Sequence, residues 1–142
     1  MHPPPKFLVV DFHAESRFLL ARTLLRKFPG ADIVERDEAD QAVEVLRQGD
    51  VAAVITHRTF DVAGADLVRR FRAVNHQVPI IMVSGIDREQ AALDAGASSF
   101  LHYDEWLLIG SVVEHHLAQD GTLHAAGAGD DFDESENYPN PT

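Results

Sequence analysis

Three short stretches of this chain are apolar almost without interruption: Phe7–Val10, Val51–Ile55 and Ile80–Val83. Each is too short for an ordinary buried helix and rich in β-branched residues, so each reads as a strand covered on both faces. Such strands belong to a central parallel sheet, and the cover has to be helical. The segments between them supply it. Phe18, Ala21, Leu25 and Phe28, with Leu20 and Leu24, recur at helical spacing until Pro29–Gly30 stops them. "ADIVER" is a second strand. "DEADQAVEVLRQGD" is a second helix, with Ala39, Ala42, Val43 and Leu46 inward and Gly49 as its stop. "VAAVIT" is the third strand. "AGADLVRRFRAV" is the third helix, with Leu67, Val68 and Phe71 inside. "PIIMV" is the fourth strand. "DREQAALDAG" is the fourth helix, with Asp87 and Gln90 spaced like a capping box and Gly96 closing it. "SSFLH" is the last strand, and Asp104 is placed to cap a final helix, "EWLLIGSVVEHHLAQ".

Five strands thus alternate with five helices, and roughly 20–30 residues separate successive strand starts, which suits right-handed crossovers. The expectation is a doubly wound α/β domain: a five-stranded parallel sheet with helices on both faces. Functional groups in such sheets gather at the carboxyl ends of the strands. The positions to inspect are therefore Asp11, Phe12 and His13, then Thr56 and His57, then Ser84 and Gly85, then His102 and Tyr103.

The 142 residues suit one domain and a tail. The absence of cysteine excludes disulfides and thiolate metal sites. No apolar run approaches the ~20 residues of a membrane span, and "MHPPPKFLVVDF" lacks the apolar stretch of a signal peptide. Residues 1–5 read as an extended segment, 6–119 as the domain and 120–142 as a disordered acidic tail. That tail holds Asp120, Asp130, Asp131, Asp133, Glu134 and Glu136 and no Lys or Arg, six of the net eleven negative charges. What remains is mildly acidic, which argues against nucleic acid as a partner. The tail reads as a solubilising spacer or as an acidic peptide for a basic partner surface. "RRFR" and "DREQ" read as solvated faces.

At the strand ends the chain resembles the receiver domain of two-component response regulators, over about Lys6 to Leu117. "KFLVVDFHAESR" is similar to the family's first strand and acidic turn, "VPIIMVSG" to its fourth strand with a Ser/Thr, and "ALDAGASSFL" to its passage into the fifth strand. The resemblance implies a flavodoxin-like, CheY-like (βα)5 sandwich. It also implies a site in which an acidic pair and an acceptor aspartate hold Mg²⁺, while a Ser/Thr and a lysine bind phosphoryl oxygens. Residue by residue, Asp11 matches the first acid, but Phe12 stands at the second. His57 stands at the acceptor, or Thr56 in another alignment, and neither supplies a carboxylate. Ser84 matches the Ser/Thr, Tyr103 stands at the lysine, and Phe100 matches the switch aromatic.

The resemblance therefore implies a degenerate, phosphorylation-independent receiver. It would be a stand-alone, non-enzymatic cytoplasmic module with Mg²⁺ binding weak or lost and no other cofactor. No DNA-binding or enzymatic output domain is expected after residue 120. Its partner would be a protein: a histidine kinase, another signalling protein, or a second copy paired through the fourth helix, fifth strand and fifth helix. Trp106 is either core or an interface anchor. The alternatives are a phosphoacceptor using Asp61 or Asp11, phosphorylation of His57 itself, a pH response of His57 acting through Ser84 and Phe100, and a metal site from Asp11, His13 and His57, with His102 nearby. No glycine-rich phosphate loop follows the first strand, which counts against nucleotide binding.

Overall fold

The computed structural model describes residues 3–119. The expected tail, residues 120–142, lies outside them, as do residues 1–2. The strands are β1 (Lys6–Val10), β2 (Asp32–Arg36), β3 (Ala53–Thr56), β4 (Ile80–Ser84) and β5 (Ser99–His102), all parallel, in the order β2-β1-β3-β4-β5. The helices are α1 (Ala14–Lys27), α2 (Ala39–Gln48), α3 (Gly64–Val74), α4 (Glu89–Ala95) and α5 (Ile109–Gln119). This is the doubly wound architecture the alternation demands. The strand order reverses between β1 and β3, and the crevice at their carboxyl ends is where such folds build sites.

Strand alternation sorts the core into two layers. On one face Leu8, Val10, Val54, Ile80 and Met82 pack with Ala42, Leu46, Leu67, Phe71 and Ala92 from α2, α3 and α4. On the other, Phe7, Val9, Ile55, Ile81 and Val83 pack with Leu20, Leu24, Ile109, Val113 and Leu117 from α1 and α5. Trp106 is half-buried and packs against the edge of this second layer.

Four local expectations need correction. Helix α1 buries Leu20, Ala21, Thr23 and Leu24, while Phe18 is 53% exposed. Helix α2 buries Val45 rather than Val43, which is only partly covered. The capping box before α4 does not close: Asp87 accepts the Glu89 N–H at 3.2 Å, but the Gln90 amide turns forward to Asp94 at 2.8 Å. The last helix does not begin at Glu105. A 3-10 segment, Tyr103–Leu108, precedes α5, and its first turn is capped by the His102 ring, whose Nδ1 accepts the Asp104 N–H at 3.3 Å. Asp104 is thus the capped residue, not the cap.

Gly49 and Gly96 end α2 and α4 as expected. Gly96 does so at φ +113°, and a Cβ there would sit 2.7 Å from Cγ of Arg72. Gly96→Ala is therefore expected to cost about 1–3 kcal/mol from the backbone conformation alone, read as a drop in urea midpoint with unchanged slope.

Candidate functional site

The chain leaves β1 at Val10 and enters α1 at Ala14, and the three residues between form one wall of the crevice. Asp11 continues the alternation of Phe7 and Val9, so its side chain falls on the α1/α5 side of the sheet. It is fully buried. A carboxylate so placed needs hydrogen bonds to offset lost hydration. Its Oδ1 accepts the His13 N–H at 2.9 Å and its Oδ2 accepts the Tyr103 hydroxyl. Its carbonyl accepts from Arg17 Nη1 at 2.6 Å, and Arg17 also pairs with Glu35 at 3.2 Å.

His57 follows β3 with the parity of Ala53 and Ile55 and so faces the same side. Its N–H donates to Val10 O at 2.8 Å, which fixes the backbone. Its ring meets the Tyr103 ring edge-on, centroids 5.1 Å apart, and its Nδ1 lies 3.6 Å from Asp11 Oδ1. That Nδ1 is buried and makes no hydrogen bond. Asp11, His57 and Tyr103, from the ends of three different strands, thus form one compact cluster. Burial, first, and then donation to Asp11 and the negative charge of Asp11 push the Tyr103 phenol well above its ordinary range, with Ser16 pulling the other way. Tyr103 stays a neutral donor.

Phe12 and Arg58 pack on each other beside the cluster. Phe12 N–H donates to Arg58 O at 3.1 Å, and the Arg58 guanidinium lies 5.1 Å from the Phe12 ring centre. The His13 ring, 60% exposed, packs on Phe12 at 4.0 Å between centroids, with its Nδ1 3.9 Å from Asp11 Oδ1.

The remaining candidates stand apart from the cluster. Ser84 ends β4, buried, and its hydroxyl oxygen accepts the Ile86 N–H at 3.4 Å. No hydrogen bond ties it to Asp11, His57 or Tyr103 among the described residues. Thr56 is turned to the other face, its hydroxyl donating to His57 O at 3.0 Å. Phe100 packs half-buried against the α2–α4 layer. His102 is held in the turn by its Asp104 contact, outside the cluster. Asp61 is exposed in the loop after β3 and accepts the Thr59 hydroxyl at 3.1 Å. Among the described residues no three His, Asp or Glu side chains are grouped to hold a metal ion. Sequence reasoning missed Ser16, Arg17 and Arg58. Ser16 and Arg17 lie in the first turn of α1 and Arg58 two residues after β3, and nearness to the carboxyl ends of the strands is the one signal that marks them.

No protein-family model matches this chain, and no curated protein matches it. Solved structures do. The signal receiver domain of an HD domain-containing protein from Pseudomonas fluorescens Pf-5 has a TM-score of 0.66 at 19% identity, over 85% of this chain and 95% of that one. A LuxR-family two-component response regulator from Aurantimonas sp. SI85-9A1 has a TM-score of 0.67 at 20% identity, over 79% and 86%. The receiver domain of Ssk1 from Saccharomyces cerevisiae, solved with the histidine phosphotransfer protein Ypd1, has a TM-score of 0.61 at 16% identity, over 72% and 80%. At such identities the likeness is one of fold: the chain has the fold of response-regulator receiver domains.

Proposed function

We propose that this chain is a receiver-type module of two-component signalling that works without phosphorylation, through contact with a protein partner. The observation that carries the reading is the state of Asp11. The matching acid in the family binds a metal, and here both carboxylate oxygens are engaged, one by the Tyr103 hydroxyl and one by the His13 N–H. Mg²⁺ demands several oxygen ligands in near-octahedral order. A buried carboxylate beside a phenyl ring and an imidazole does not fit it, so no phosphoryl step is assigned. Nor does any fixed cation stand where Tyr103 does to take up phosphoryl charge.

On this reading the protein is not an enzyme, needs no cofactor and acts in the cytoplasm. Among the described residues no helix is long and apolar enough to cross a membrane. The receiver solved with a phosphotransfer protein supports a protein partner of that kind; a histidine kinase, or self-pairing through α4, β5 and α5, fits equally.

The test is an amide NMR titration of the full chain with Mg²⁺ and beryllofluoride. Signals of Asp11, His57, Ser84 and Phe100 are expected to stay in place. Saturable shifts there would overturn the reading and restore a phosphoacceptor, with Asp11 or Asp61 as its candidate.

One observation favours a second reading, a proton-responsive site. The buried Nδ1 of His57 makes no hydrogen bond, and a proton placed on it would stand at ion-pair distance, 3.6 Å, from Asp11 Oδ1. Asp11 and Tyr103 face the ring, and His13 is beyond Asp11. The Ser84 and Phe100 amides should then follow the His57 ring signals in a pH titration. Their independence of pH would remove this reading.

A further inference from the structure

Helix α1 is the most basic element of an acidic chain. It carries Arg17, Arg22, Arg26 and Lys27 against Glu15 alone. Arg17 and Lys27 are engaged by Glu35 and Glu114. Arg22 and Arg26 are exposed and make no ion pair among the described residues. At a spacing of four they stand in line with Phe18, and the Arg22 guanidinium lies 5.3 Å from the Phe18 ring centre. Phe18 is 53% exposed and Leu19 beside it 44%. The outer face of α1 is thus an apolar pair followed by two unpaired cations. The other basic helix offers nothing comparable. On α3, Arg69 pairs with Asp66 at 2.7 Å, Arg70 with Asp40 at 3.6 Å, and Arg72 is turned inward onto four acceptors.

We propose that this face is the docking site for the chain's own segment 130–136, "DDFDESE". The segment carries Asp130, Asp131, Asp133, Glu134 and Glu136 around Phe132, an acidic match with one aromatic for an apolar pair and two cations. Distance permits it. A Cβ on Gly110 would meet Lys27, so α5 begins against the end of α1. Both helices run antiparallel to the strands, so from that contact Gln119 and Phe18 lie about 14 Å away in opposite directions, about 28 Å apart along the helix axes. Asp130 comes eleven residues after Gln119, and eleven residues can span up to about 37 Å. Tethering at such length gives an effective concentration in the mM range, so docking needs little intrinsic affinity. Docked there, the segment covers this exposed basic-apolar helix face and competes with any acidic partner for it. The inference is independent of how the Asp11 cluster works.

The chain has no cysteine, so Ser135→Cys offers a single site for a nitroxide spin label on the full chain. The amide signals of Phe18, Leu19, Arg22 and Arg26 are expected to broaden and disappear, and to recover when the label is reduced. They should also recover at high salt, since the contact is charged and exposed, and in the Arg22→Glu/Arg26→Glu variant. Unbroadened signals, or broadening centred on α3 or elsewhere, would overturn the proposal. So would broadening that appears when spin-labelled chains are mixed with separate isotope-labelled ones, which would make the occupant a second copy.

Discussion

Replacing Arg72 by methionine is expected to destabilise the fold by about 2–4 kcal/mol, through partly buried acceptors left without a donor. The guanidinium is a clasp across one edge of the domain. Its Nε donates to Gly96 O at 2.8 Å, its Nη1 to Val78 O at 2.6 Å and Asn75 O at 3.2 Å, and its Nη2 to Ser98 Oγ at 3.1 Å. These acceptors lie after α3, before β4, at the end of α4 and before β5. Ser98 Oγ in turn accepts the Ile80 N–H at 3.0 Å, so the clasp reaches the first residue of β4. None of the four acceptors is a carboxylate, and burial pulls the guanidinium below its usual range. The forked donor set matters more here than the charge, so Arg72→Lys should recover only a minor part of the loss. Urea unfolding measures both variants. A methionine variant within about 0.5 kcal/mol of the parent, the scatter of ordinary surface changes, would show that the clasp is incidental.

Arg72 also shows where sequence reading stops. "RRFR" looks like a solvated face, and Arg69 and Arg70 are indeed exposed, but the third arginine falls one helical step round and turns inward. The alternation of apolar runs with helical periods was enough to anticipate the topology, because five strands with crossovers of that length leave few arrangements. Helix phase was less legible. In α1 the apolar residues span more than half the circumference, so the pattern admits a stripe through Phe18 as readily as the one through Leu20 and Leu24 that packing selects. The cap of the 3-10 segment was misread because His102 and Asp104 both carry acceptors near the same turn, and only the backbone decides between them. The positions of the crevice residues followed from topology. The bond between Asp11 and Tyr103, 92 residues apart, did not, since a substitution at the lysine position says nothing of where the new side chain points.

Removing the hydroxyl in Tyr103→Phe is expected to cost about 1–3 kcal/mol near neutral pH, because it strips one partner from a fully buried carboxylate. The pH dependence separates this cause from loss of packing, which the isosteric ring preserves. The phenol of Tyr103 is held above its ordinary range, chiefly by burial and then by its bond to Asp11 and the charge there. Above about pH 10 an unfolded chain gives up that proton while the folded chain keeps it. The native state then binds more protons than the unfolded one, so stability falls as pH rises, by at most about 1.4 kcal/mol per unit for one group. Below the unfolded value the contribution is fully present. The parent should therefore lose stability through the alkaline range more steeply than Tyr103→Phe, and the gap between them should narrow. Urea midpoints of both proteins from about pH 8 to pH 11 measure it. Parallel profiles would mean that Tyr103 does not hold its proton against Asp11. The cluster would then be a packing arrangement only.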